Sequence, residues 1–263
     1  MLRSRWMGAA MVWVACGLCI AAPEPDAGVA NSVPVDPESS GELDFEAALA
    51  ALEAEEAQAS ADPWEGFNRR VFAFNDRLDA YLLKPIAKGY QAVTPRLLDQ
   101  GVTNFFGNLG EVSVVTNDLL QGKLGQASRD GLRFLVNSTI GFFGLFDVAG
   151  RIGLRANNED FGQTLAVWGV PSGPYLVLPF LGPSSVRGSA ALVPESQLSP
   201  LRYTEDEALG YQLLGLDVVD TRADLLSAEE VVRGDRYIFV RDAYLQRREF
   251  LIQDGQVEDE FDF

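Results

Sequence analysis

Phe161-Gly162-Gln163-Thr164-Leu165-Ala166-Val167-Trp168-Gly169-Val170-Pro171-Ser172-Gly173-Pro174-Tyr175-Leu176-Val177-Leu178-Pro179-Phe180-Leu181-Gly182-Pro183-Ser184-Ser185-Val186 contains no charged residue. A bilayer is crossed by roughly 20 apolar residues in a helix, so the stretch is long enough. It cannot be one helix, because four glycines alternate with Pro171, Pro174, Pro179 and Pro183, and proline removes a backbone donor and breaks a helix interior. Two readings follow. The stretch is either a buried, loop-rich core, or broken backbone at membrane depth, which survives only inside protein or beside a wet cavity.

Upstream, residues 1–22 read as an export leader. Arg3 and Arg5 precede a short apolar run, Trp6 to Ala15, too short to remain as a membrane span. Two processing routes are open. Val14-Ala15-Cys16 resembles a lipoprotein box, which makes residues 1–15 the signal and Cys16 the lipid anchor, although Trp13 stands where leucine is typical. Alternatively the leader is cut near Ala21 or Ala22. Gly17 follows the cysteine instead of an aspartate, which favours the outer over the inner membrane. Both cysteines lie in the leader, so the body has no disulfide framework and no thiolate metal site.

The chain has 263 residues and a formal charge of −17, with no Lys or Arg between Arg5 and Arg69. Residues 16–61 are an acidic, flexible linker, in which Phe45, Leu49 and Leu52 trace a thin apolar stripe. The body spans 62–252, and 253–263 form an acidic tail. Nothing here points to nucleic acid as a partner: the balance is acidic, and no basic patch is interleaved with aromatics.

The body starts at Asp62-Pro63-Trp64-Glu65, which predicts a helix with an acid N-cap and proline at its first position. Phe67, Val71, Phe74, Leu78 and Leu82 continue it at helical spacing. Thr94-Pro95 starts a second helix, which Asn104-Phe105-Phe106-Gly107-Asn108-Leu109 is expected to break. Further helices are expected over Glu111–Gln121, Gly125–Asn137, Glu205–Leu226 and Gly234–Leu251. No alternating strand series is evident, and the body reads as mainly helical.

Catalytic chemistry has few residues to draw on. There is no histidine, hence no usual general base or triad and not the commonest metal ligand. No nucleophile elbow, phosphate loop or calcium loop appears. The acid pairs Glu159-Asp160 and Glu229-Glu230 read as solvated faces. No catalytic residue, metal site or cofactor is expected.

Asp62-Pro63-Trp64-Glu65-Gly66-Phe67-Asn68-Arg69 resembles the opening of the MlaA/VacJ outer-membrane lipoproteins. The resemblance continues through Lys84-Pro85-Ile86-Ala87, Asn104-Phe105-Phe106-Gly107-Asn108-Leu109 and Leu119-Leu120-Gln121-Gly122. It recurs in Arg133 to Gly141, Phe146-Asp147-Val148-Ala149-Gly150, Phe161-Gly162-Gln163-Thr164-Leu165 and Gly173 to Phe180. Thr221 to Leu226 and Arg241-Asp242-Ala243-Tyr244 complete it, covering about residues 62–252. The family implies a mainly α fold: a ring-like bundle of amphipathic helices in the inner leaflet of the outer membrane, with a Gly/Pro-rich hairpin. It implies a non-catalytic conduit for phospholipid headgroups, a trimeric porin as partner, and a soluble periplasmic lipid carrier that receives the lipid. The chain departs from the family in its long acidic linker, its imperfect lipid box, and Pro171 between Gly169 and Gly173, where relatives often keep glycine. That proline bears on any hinge role of Gly169 and Gly173.

On this reading Asn75, Asn104, Asn117 and Asn137 supply neutral amides to a channel wall, or else cap and bridge helices. Lys84 meets a lipid phosphate or snorkels to the headgroup layer. Arg247 and Arg248, on the last helix, either help to dock the carrier or merely solvate a helix whose other face is buried.

Overall fold

The computed structural model describes residues 62–231 and 234–255; Cys16, the leader and the acidic linker lie outside the described residues. The chain is mainly helical. α1 (Glu65–Leu78) runs through a π-turn (Asp79–Leu83) into α2 (Lys84–Val93). α3 (Arg96–Gln121) and α4 (Leu124–Thr139) form a long antiparallel pair, and a short α5 (Val148–Arg151) follows. α6 (Phe161–Val167), the antiparallel strands β1 (Tyr175–Leu178) and β2 (Gly182–Ser185), and α7 (Val186–Leu198) make up the central segment. After a 3₁₀ turn come α8 (Glu207–Asp224) and α9 (Arg236–Ile252).

The packing follows a closed circuit. α1 lies on β1, β2 on α7, and α7 on α3; α3 meets α8, α8 packs on α2, and the π-turn returns the chain to α1. α9 closes over α6 and β2. A small aromatic core, Tyr175, Val177 and Tyr237 with Phe72 and Tyr244 around it, sits where α1, the hairpin and α9 meet. No helix among the described residues is long and apolar enough to cross a membrane.

Five expectations are corrected. Asp62 does not cap α1; Trp64 occupies that position without a side-chain bond. Asp62 is instead buried, accepting from Asn68 Nδ2 at 2.7 Å and from the Tyr237 hydroxyl. The second helix does not break at Asn104–Leu109. α3 runs through, and its glycines cost roughly 1 kcal/mol each against alanine, which tertiary contacts offset: Gly101 faces Leu145. It stops at Gly122, left-handed at φ 78°, the usual glycine terminus. The uncharged stretch includes a strand pair, Tyr175 opposite Ser185 and Leu178 opposite Gly182, which its prolines hid. α7 was also unforeseen, because Pro194 lies inside it; the Ser185 hydroxyl, accepting from Gly188 N at 3.0 Å, starts it.

Glu159-Asp160 is not a solvated face either. Glu159 is 3% exposed and accepts from Lys123 Nζ at 2.9 Å. Asp160 caps α6 through Gln163 N at 2.8 Å and pairs with Arg248. Burial pushes the Asp160 carboxyl up, but Arg248 and the Gln163 bonds outweigh it and hold it below the usual range.

Candidate functional site

The burial pattern is inverted. Asn68, Asn117, Asp118, Asp130, Gln163, Thr164, Asp220 and Arg241 are among the largest fully buried side chains. Leu97, Leu98, Leu124, Leu135, Ile140, Phe142 and Phe143 are more than half exposed. Monomeric soluble proteins seldom expose large contiguous apolar surface, and buried polar groups persist only when they are bonded.

Most of the buried groups are bonded. Arg133 donates from Nε to Glu111 at 2.9 Å, from Nη1 to the Leu154 carbonyl and from Nη2 to Asp147 at 3.4 Å. Asp147 also accepts from Gly150 N and Asn137 Nδ2. Burial pushes its carboxyl up, and these partners with Arg133 bring it below the usual range. A second group joins Asp79, Arg222, Glu229 and Lys84 where the π-turn meets the end of α8.

Beside the first group lies an open cavity of about 610 Å³ between α3, α5 and the end of α8. Asp99, Gln100, Thr103, Asn104, Asp147, Gly150, Arg151 and Asp224 line it; no apolar side chain does. Behind its wall, Asp220 accepts from Tyr90 at 2.7 Å and Thr103 at 2.9 Å. Burial first, then Asp220 and Asp99, push the Asp224 carboxyl up. Such an opening solvates a polar group while the outer faces of the same helices stay apolar. Among the described residues no group of three or more His, Cys, Asp or Glu is arranged to hold a metal.

Of the asparagines singled out in sequence, only Asn104 lines this cavity, and its Nδ2 also donates to the Leu145 carbonyl at 3.2 Å. Asn137 is next to it, receiving from Ala149 N at 2.8 Å and donating to Asp147 at 3.0 Å. Asn117 lies elsewhere, fully buried, where it accepts from Thr164 at 2.8 Å and donates to Glu195 at 3.3 Å. Asn75 bonds the hairpin with both halves of its amide. Lys84 pairs with Glu229.

Gly169 and Gly173 flank the link from α6 to β1, both with left-handed backbone. A side chain at Gly173 would also press on Val186 at 3.0 Å. Arg247 and Arg248 border a smaller cavity of about 120 Å³ walled by Leu178, Leu181, Leu192 and Leu251, with Arg248 held by Asp160. Sequence reasoning missed Asp99, Asp147, Arg151 and Asp224. The signal for Asp147 was a lone charge inside the apolar, glycine-spaced stretch from Ser138 to Val148; Asp99, Arg151 and Asp224 carried none.

The family profile described as MlaA lipoprotein matches residues 60–251. The chain is 37% identical over 196 residues to an uncharacterized protein of Rickettsia bellii, covering 73% of this chain and 77% of that one. It is 35% identical over 208 residues to the intermembrane phospholipid transport system lipoprotein MlaA of Escherichia coli, covering 76% and 82%. A solved structure, described under "Structural basis for maintenance of bacterial outer membrane lipid asymmetry", superimposes with a TM-score of 0.65 at 33% identity over 73% of this chain and 99% of the other. A shared helical frame with this sequence agreement is enough to conclude that the chain belongs to the MlaA lipoprotein family.

Proposed function

We propose that the chain is a non-catalytic lipoprotein of an intermembrane phospholipid transport system, acting at the periplasmic face of the outer membrane. The inverted burial pattern around an open polar cavity carries this reading. Helices with exposed leucine and phenylalanine form a ring in the inner leaflet, and the cavity between α3, α5 and α8 admits headgroups. Dragging a headgroup through hydrocarbon costs several kcal/mol unless polar groups receive it; Asn104 and its neighbours receive it, while acyl chains keep to the apolar exterior. The name of the Escherichia coli relative supports the transport role. The domains are a signal at 1–15, a lipid anchor on Cys16, a linker to 61, the lipid-handling body to 252 and an acidic tail. A trimeric porin seats the ring, Gly169 and Gly173 hinge the segment before the hairpin, and a soluble periplasmic carrier docks near Arg247 and Arg248.

The test uses cells lacking the chain. Surface phospholipid, read with a membrane-impermeant amine reagent, rises in the deletion and returns to baseline with the wild type. Gln100→Trp, which fills the cavity from an exposed position, should fold and reach the membrane yet leave phospholipid on the surface. Full rescue by Gln100→Trp would point to a passive scaffold, and released lysolipid to a hydrolase.

A further inference from the structure

We propose that the polar cavity prefers phospholipid headgroups bearing a primary ammonium over anionic headgroups; this rests on the conduit reading above. The lining holds three carboxylates, Asp99, Asp147 and Asp224, against one basic residue, Arg151. They are not equivalent. Asp147 already has its partners, Arg133 at 3.4 Å, Asn137 and the Gly150 amide, and feels the nearby charge of Arg151. Asp99 and Asp224 have no ion-pair partner among the described residues, and neither has Arg151. Asp99 Oδ1 is buried and accepts no hydrogen bond. The wall behind adds a further negative charge, Asp220, which is 2% exposed.

A zwitterionic headgroup matches this arrangement. Its phosphate meets Arg151, and its ammonium meets the unpaired carboxylates. A primary ammonium has N–H donors for the carboxylate oxygens that face the cavity, whereas a quaternary ammonium has none. An anionic headgroup instead brings its phosphate to a lining with excess negative charge and offers no cation in return. Like-charge juxtaposition of this kind disfavours the anionic headgroup, less steeply in an open, wet cavity than in a dry one. The apolar outer faces contact any lipid alike, so discrimination is confined to this opening.

The experiment places a photo-crosslinking amino acid at Gln100, inside the cavity, and separately at Leu98, which is 62% exposed and, at about 100° per residue, lies on the opposite side of the same helix. The full-length protein is reconstituted in vesicles of equal phosphatidylethanolamine and phosphatidylglycerol, and cross-linked lipid is identified by mass spectrometry. From position 100 the ethanolamine lipid should dominate by about fivefold, close to 1 kcal/mol of discrimination; from 98 the two should match the vesicle. Asp99→Asn with Asp224→Asn should return the position-100 ratio toward unity with helicity unchanged by circular dichroism. If that double variant does not fold, Arg151→Ala, which removes the phosphate partner, should lower the lipid yield at 100 while leaving that at 98. Vesicle-ratio or glycerol-enriched lipid at position 100 would overturn the preference and leave the conduit standing. Lipid at 98 and none at 100 would sink the conduit, and the preference with it.

Discussion

Asn68 and Asn75, two turns apart on α1, hold successive points of one β-hairpin. Asn68 donates to the Tyr175 carbonyl at 3.1 Å and accepts from Val177 N at 2.9 Å; Asn75 donates to the Leu178 carbonyl and accepts from Phe180 N, each at 2.9 Å. Two side-chain amides thus stand in for a neighbouring strand along the otherwise open edge of β1.

Replacing either asparagine with alanine should loosen the hairpin. An unsatisfied buried backbone group costs about 1–3 kcal/mol, more at buried Asn68 than at part-exposed Asn75. Hydrogen exchange at Val177 should accelerate in Asn68→Ala and at Phe180 in Asn75→Ala. Unchanged exchange would mean that the amides are incidental.

Glu111 and Arg133 join α3 to α4 with both side chains about nine-tenths buried or more. Glu111→Ala should cost about 3–5 kcal/mol, the usual result of leaving one buried charge alone. Thermal unfolding of the detergent-solubilised protein reads this directly. Glu111→Gln, which keeps an acceptor for Arg133, should lose less.

Asp118 and Asp130 are fully buried where α3 turns into α4. Burial first, then the hydrogen bond and charge of Asp130, push the Asp118 carboxyl up to about 7 from 3.8. Below about pH 4 both folded and unfolded chains keep this proton, and the group has no effect. Between about 4 and 7 only the folded chain keeps it, so its contribution falls as pH rises, and the whole penalty remains above 7. Asp118→Asn should therefore raise the melting temperature by a few degrees at pH 8 and hardly at all at pH 4. An equal effect at both pH values would rule out this origin.

Arg248 is 18% exposed and paired with Asp160, so reversing its charge disrupts folding as well as any docking. Arg248→Glu should destabilise by about 2 kcal/mol, below the 3–5 of a fully buried pair. Arg247→Glu is the cleaner test of carrier docking. Arg247 is half-buried, with Nη1 inside the protein, so folding is checked alongside; the variant should weaken carrier binding more at low salt than at high, because charge interactions between two surfaces are screened beyond roughly 8–10 Å at physiological ionic strength.

Cys16 precedes the described residues, and its acylation is tested chemically. Metabolic fatty-acid label should mark the wild type and vanish in Cys16→Ala. A mature chain starting at Ala22 would overturn the lipid anchor.

The helices were legible where an apolar stripe recurs at helical spacing: α9 lies within two residues of its expected bounds, and α8 likewise. What misled was local chemistry resolved at long range. Asn104 and Gly107 read as a break, yet Asn104 bonds the distant Leu145 carbonyl and the helix continues. Phe67 and Phe74 were expected to define a stripe, and they do, but it faces outward while Asn68 faces the interior. Periodicity finds two faces of a helix without saying which is inside. The cavity was illegible for a related reason, since Asp99, Arg151 and Asp224 are far apart in sequence and meet only through the packing of α3, α5 and α8.

The polar interior also governs the response to heat. Unfolding raises heat capacity by about 0.45 cal/K/mol for each Å² of apolar surface newly wetted and lowers it by about 0.26 for each Å² of polar surface. Here the surface newly wetted includes amides, carboxylates and guanidinium groups that soluble folds leave outside, while many leucines and phenylalanines were never covered by protein. The two contributions draw toward cancellation. The stability curve should therefore be flatter than that of a soluble fold of this length, which calorimetry would read as a smaller heat-capacity change on unfolding.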